Sequence, residues 1–183
     1  EEVKAGDKLG SKSAIPLSGF VYQGDRVLTD PDSKGHLRFR DKTYAELGPD
    51  TMMGSERVRR GADRDSDRKD ESIFHFYRGV LRITAISVEP WVRYYLKYAD
   101  RVLTIEGPAD FYVELDRKSR DLVVHVRRGK VWLVSAVKGV RVDIPEGQSR
   151  EVRRDHSIKE LHPLTKRELA LLRQRTQIRT NKM

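Results

Sequence analysis

Between residues 13 and 150, hydrophobic positions come in short runs or alternate with polar ones, and turn formers break them every few residues, so strands are predicted throughout. Ser13 to Val21, with Pro16 and Gly19 inside it, reads as a short irregular strand entering a turn at Gln23-Gly24-Asp25. Val27-Leu28-Thr29 is the next strand. Asp30 to Gly35 is dense in turn formers, and His36-Leu37-Arg38-Phe39-Arg40 then alternates with period two, which directs Leu37 and Phe39 inward. Tyr44 to Leu47 returns as the second arm of a hairpin. Ser87 to Ala99 carries Trp91, Tyr94, Tyr95 and Tyr98 and reads as strand, because Pro90 opposes an earlier helix start. Phe111 to Leu115 and Leu122 to Val126 form a second hairpin around Asp116 to Asp121. Val131 to Val134 and Val140 to Ile144 follow, closing on Pro145-Glu146-Gly147.

Two echoes divide this β-rich region. Ile73 to Ile83 is matched by Val123 to Leu133, with His75 against His125, Arg78 against Arg128 and Gly79 against Gly129. Asp25-Arg26-Val27-Leu28-Thr29 recurs unchanged as Asp100-Arg101-Val102-Leu103-Thr104. The expected fold is all-β: two homologous antiparallel modules forming a sandwich, roll or solenoid-like stack, with a short C-terminal α-helix. Module one is placed at about residues 15–86 and module two at about 100–150. The offsets of the two echoes differ by about 25 residues, which points to an insertion at about 54–72. That segment mixes both charges with almost no apolar content and is expected to be a solvated loop. Gly24, Gly79, Gly129 and Gly147 are the expected structural turns, with Gly79 and Gly129 permitting a bend or bulge.

After residue 152 the period changes. Residues 153–183 read as a linker and a basic amphipathic helix: Thr165 with Glu168 is a capping-box pattern, and Leu169, Leu172 and Ile178 share a stripe among Lys166, Arg167, Arg173, Arg175 and Arg179.

A formal charge of +9 at pH 7 predicts attraction to anions, whether nucleic acid, anionic lipid or glycan, or an acidic protein. The absence of cysteine excludes disulfide and thiol chemistry. No run reaches the roughly 18 apolar residues of a spanning helix. The five histidines, 36, 75, 125, 156 and 162, lack a tight ligand pair with a nearby carboxylate, so no metal is expected. Asp25 and Asp100 read as turn formers rather than a carboxylate pair. No nucleophile elbow, phosphate loop or dinucleotide fingerprint is present, so no enzyme activity and no cofactor are expected. Nucleic-acid binding is disfavoured because Arg59 to Arg68 alternates with acids rather than concentrating one charge.

The order of Gly24-Asp25 before a Val-Leu-Thr strand, Leu37 to Thr43, and Leu47-Gly48-Pro49-Asp50-Thr51 resembles the start of the FecR domain. Gly79-Val80-Leu81-Arg82, Gly129-Lys130-Val131 and Val142 to Gln148 continue the resemblance, which covers about residues 17–152. It departs at Gly107-Pro108-Ala109-Asp110-Phe111, where members carry a Gly-Thr-x-Phe step, and the sequence shows no anti-sigma segment or membrane helix before the domain. The resemblance implies an all-β extracytoplasmic interaction module, residues 1–152, in a periplasmic protein whose signal peptide has been removed. The expected function is binding to other envelope proteins as part of a larger envelope or surface-appendage assembly. Peptidoglycan, anionic lipid or nucleic acid forms the alternative. The residues expected to meet the partner are Trp91, Tyr94, Tyr95, Leu169, Leu172, Arg173 and Arg175.

Overall fold

The computed structural model describes residues 21–39, 42–57, 71–86, 93–116, 118–135 and 139–177. The chain is all-β with one short C-terminal helix, and its strands form a curled, open half-barrel. The first strands are β1 (Arg26–Leu28), β2 (Gly35–Arg38), β3 (Tyr44–Leu47) and β4 (Met52–Arg57), followed by the 15-residue β5 (Glu71–Ala85). Then come β6 (Arg93–Tyr98), β7 (Arg101–Glu106), β8 (Ala109–Leu115), β9 (Leu122–Arg128) and β10 (Val131–Ser135). β11 (Arg141–Ile144), β12 (Gln148–Val152), β13 (His162–Pro163) and α1 (Lys166–Thr176) complete the order. No helix among the described residues is long and apolar enough to cross a membrane.

The strands make two sheets that share β5. Sheet I runs β1-β4-β5-β6-β7-β10-β11, and sheet II runs β2-β3-β5-β8-β9-β12-β13. β5 pairs with β4 and β6 through its first half and with β3 and β8 through its second. Period-two patterning sends one side of each strand into the space between the sheets, where Phe74, Leu96, Leu103 and Leu133 from sheet I join Leu47, Ile83, Phe111 and Val126 from sheet II in one core.

β5 changes sheets at Gly79, whose φ is 94°. A Cβ there would lie 2.3 Å from Thr51 Oγ1 and 2.5 Å from Thr51 Cα, so the site admits only glycine. The Thr51 hydroxyl occupies that room. It accepts from Val80 N at 2.9 Å and donates to Val80 O at 3.0 Å, satisfying both backbone groups of the residue after the bend. Thr29 braces the same corner, donating from Oγ1 to Gly48 O at 2.6 Å and accepting from Thr51 N at 2.9 Å. Gly24, Gly129 and Gly147 also have positive φ. At Gly129, where the chain passes from β9 in sheet II to β10 in sheet I, an added Cβ would meet Pro108 O at 2.5 Å.

The pairing order occurs twice: β1-β4 and the first half of β5 with β2-β3 and its second half, then β7-β10-β11 with β8-β9-β12. β6 belongs to neither set and runs parallel to β5, whereas the pairings within each set are antiparallel. The sequence echoes do not map onto this order as expected. His75 lies in sheet I and His125 in sheet II, and Gly79 interrupts a continuous strand whereas Gly129 lies in a turn between two. The five-residue identity falls on the corresponding strands β1 and β7 with its faces reversed: Val27 is buried and Arg26 exposed, whereas Val102 is half-buried and Arg101 buried. A one-residue shift in register exchanges the faces of a strand, so identical residues do different work.

The expected charged loop at 54–72 is narrower than its composition indicates. β4 continues to Arg57 and β5 begins at Glu71, because Gly54 to Ser55 and Ser72 to Phe74 are buried in the ladder between them. Residues 58–70, the strand expected at 13–21 up to Phe20, and Arg40 lie outside the described residues.

The Thr51 corner yields a direct expectation. Thr51→Val keeps the shape but leaves the buried Val80 N–H unpaired, while Val80 O keeps its bond from Gly48 N, and should cost about 1–3 kcal/mol. Gly79→Ala, which combines a left-handed residue with a clash against backbone, should cost about 3 kcal/mol or more. Urea unfolding midpoints check both.

Candidate protein-interaction face

Each sheet has an outer face, and the two are used differently. On sheet II, the residues Glu46, Arg82, Tyr112, His125 and Ser149 stand in register across five strands. α1 lies over part of this row. It starts with the expected capping box, Glu168 N donating to Thr165 Oγ1 at 3.2 Å and Thr165 N donating to Glu168 Oε2 at 2.8 Å. Those bonds hold the Glu168 carboxyl below its ordinary range. Leu172 is buried against Val80 and Tyr112, with Leu164 and Leu169 packed beside them. Arg175 pairs with Glu114, and Lys34 donates to the carbonyls of Gln174 and Gln177 at the other end of the helix. Beneath the helix His125 contacts Ser149 Oγ at 2.8 Å and Glu114 at 3.5 Å.

Charges beside the helix satisfy one another. Arg82 donates through Nε and Nη2 to both oxygens of Asp110 at 2.9 Å, and through Nη1 to Glu46 at 2.9 Å. Arg127 Nε adds a bond of 2.6 Å to Asp110. Burial pushes the Asp110 carboxyl up, but the two guanidiniums outweigh it and hold it below the usual range. This network ties β3, β5, β8 and β9 together and leaves no unpaired carboxylate for proton transfer.

Sheet I has no described element over its outer face. That face carries Ile73, Tyr95, Thr104 and Trp132 in one register row, where only Tyr95 is half-buried and the other three are buried, and His75, Lys97, Val102 and Val134, all half-buried, in the next. Ion pairs flank it. At one side Glu56 accepts from Lys97 and His75, each at 2.7 Å, and these bonds hold its carboxyl below the ordinary range. At the other, Asp143 pairs with Lys130 at 2.9 Å and Arg141 at 3.0 Å, which lowers it likewise. The Arg141 guanidinium lies 4.3 Å above the Trp132 ring, and Arg26 lies 4.9 Å above Tyr77. The face thus has an apolar centre of low exposure, half-buried Tyr95, His75 and Lys97 beside it, and a paired, charged margin.

The expected contact residues separate. Trp91 lies outside the described residues. Tyr94 is 1% exposed in the core because it holds the inward position of β6, so its ring is not on a surface. Its neighbour Tyr95 points out and is half-buried, with its hydroxyl 3.5 Å from Glu71. Leu172 is 2% exposed under α1, and Leu169, Arg173 and Arg175 share that docked helix, so the leucines serve the chain's own fold. His75, Lys97, Trp132 and Arg141 were not anticipated. Period-two reading of β5 and β6 would have placed the first two beside Tyr95, but the meeting of Trp132 with Arg141 depends on strand order.

Other chemistry is sparse. Among the described residues no group of three or more potential ligands could hold a metal ion. An open depression of about 410 Å³ is lined by Asp121, Arg153, Arg154 and Asp155, but Asp121 and Asp155 are occupied in accepting backbone bonds from Arg154 and Ser157.

No protein-family profile and no curated protein sequence matches the chain. Its fold is similar to two crystal structures, at 1.65 Å and 2.50 Å resolution, of a provisionally assigned anti-sigma factor from Parabacteroides distasonis ATCC 8503. The TM-scores are 0.61 and 0.62, at 14% identity over 79% of this chain. The chain spans 62% of the length of those structures.

Helix docking can be tested by pH and by substitution. Burial raises the Glu114 carboxyl, but His125 and Arg175 bring it below its reference value of 4.5. The unfolded chain therefore protonates first; this contribution is complete above about pH 4.5 and is lost as pH falls through the lower folded value. Glu114→Gln should remove that dependence, read as the difference in urea midpoint between pH 7 and pH 3. Leu172→Ala should release α1 at a cost of about 2–4 kcal/mol, read by hydrogen exchange of helix amides while β5 and β8 stay protected.

Proposed function

We propose that this chain is a FecR-like, non-enzymatic extracytoplasmic module that binds another envelope protein through the outer face of sheet I. One observation carries the reading: α1 occupies the outer face of sheet II, while the outer face of sheet I, with half-buried Tyr95, His75 and Lys97 beside ion-paired margins, carries no element among the described residues. The FecR-like sequence and a fold shared with a provisionally assigned anti-sigma factor support a place in signalling or assembly at the cell envelope. The protein acts there as a binding or scaffold component, in the periplasm.

The alternative is capture of an anionic polymer, favoured by the net charge of +9. It is weakened by the distribution of that charge, since Lys97, Lys130, Arg141, Arg82, Arg127 and Arg175 each pair with a carboxylate. A crosslinking pull-down from envelope fractions, at low and high salt, separates the two. Lys97→Glu with Arg141→Glu should reduce recovery of a protein partner at least tenfold, and the wild-type complex should persist at high salt. Recovery of nucleic acid, glycan or lipid that disappears with salt would contradict the proposal.

A further inference from the structure

We infer that the free edge of β11 is a strand-addition site, which takes an extended segment of a protein partner in parallel with Arg141–Ile144. The inference rests on the protein-binding reading above and specifies how the partner is held.

The repeated strand order supplies the argument. β11 holds in the second set the place that the first half of β5 holds in the first. Each pairs antiparallel with the strand that has just returned from sheet II, β10 or β4, and each leads into sheet II by way of a glycine of positive φ, Gly147 or Gly79. On its far side β5 carries β6, in a parallel register from Glu71 opposite Arg93 to His75 opposite Lys97. β6 is a connector outside both sets. That edge is therefore covered by one strand from outside the set, itself paired antiparallel with β7 on its other side, and every second side chain of it, Tyr94, Leu96 and Tyr98, is buried.

The far edge of β11 has no strand on it among the described residues. The corresponding edge of sheet II is closed by the chain itself. Residues 158–164 run along β12, with a bridge from Ile158 to Val152, a bond of 3.0 Å from Lys159 N to Glu151 O, His162 opposite Ser149, Pro163 opposite Gln148, and Leu164 N donating to Gly147 O at 2.8 Å. One edge is thus covered by the chain while its neighbour carries no strand among the described residues. The remaining edges suit a lone strand less well: β1 has three residues, and β2 corresponds to β8, whose partner is half of a long strand.

The chemistry of the occupant follows from β6. Its inward positions are apolar or aromatic, next to Val142 and the exposed Val140, and its outward positions are polar, beside Arg141 and Asp143. Main-chain hydrogen bonds supply most of the affinity, so binding should vary little with salt.

A synthetic peptide with the sequence of Arg93–Tyr98, added in trans to the full chain, serves as the probe. Saturable NMR shifts at residues 140–144, at least tenfold slower exchange of the β11 amides, and at least tenfold weaker binding of a peptide N-methylated at alternate residues are expected. Unchanged β11 amides at millimolar peptide, equal binding of both peptides, or protection of β11 by self-association alone would overturn the inference. A photo-crosslinking residue at Asp143 or at Lys97 in envelope fractions tells this failure from that of the wider proposal. Capture of one partner segment of alternating apolar pattern from Asp143 supports strand addition. Capture from Lys97 only overturns it and leaves the protein-binding reading standing, and capture from neither overturns both.

Discussion

The architecture depends on β5 being able to pass from one sheet to the other without losing its backbone hydrogen bonds. A strand that bends exposes the groups at the bend, and burying them unpaired would cost as much as a good part of the stability of a small domain. Here a left-handed glycine makes the bend, and the Thr51 hydroxyl pairs with Val80 N and joins Gly48 N on Val80 O. Thr29 fixes Thr51 in turn, so the first strand, the β3–β4 corner and the spine of the fold are joined by two hydroxyls. Thr29 and the Gly48-Pro49-Asp50-Thr51 step therefore build one corner.

Once β5 is shared, the two outer faces acquire different fates. The residues that follow β12 can only run back along its edge, and this delivers α1 onto the face that holds Val80 and Tyr112. A stripe of three leucines, a single ion pair and a lysine at the helix terminus are sufficient to hold it. Sheet I receives no such cover from the described residues. Its outward side chains are instead arranged as an aromatic strip whose charged neighbours are already neutralised, a state that lowers the cost of removing them from water on association.

Much of this was legible in the sequence. Period-two alternation located the first hairpin and β11, apolar runs about a turn located the second hairpin, an aromatic-rich run with Pro90 located β6, and the Thr165–Glu168 spacing located α1, because these signals are local. What was not legible depends on partners distant in sequence. Nothing around His75 or His125 says that one strand lies in sheet I and the other in sheet II, and the identical pentapeptide at residues 25 and 100 conceals a register shift that swaps its faces. Tyr94 and Tyr95 illustrate the same limit at the site. An aromatic pair on a strand must point to opposite sides, but only the sheet order decides which of the two reaches solvent.

Hydroxyl-radical footprinting of the chain, alone and bound to a protein captured with it by crosslinking, tests the division between the two outer faces most directly. The account predicts that the half-buried Tyr77 and Tyr95 lose reactivity in the complex while Leu171, exposed on the far side of α1, keeps it. Protection of Leu171 and the rest of α1, with the sheet I aromatics unchanged, would contradict it and move the working surface to the helix.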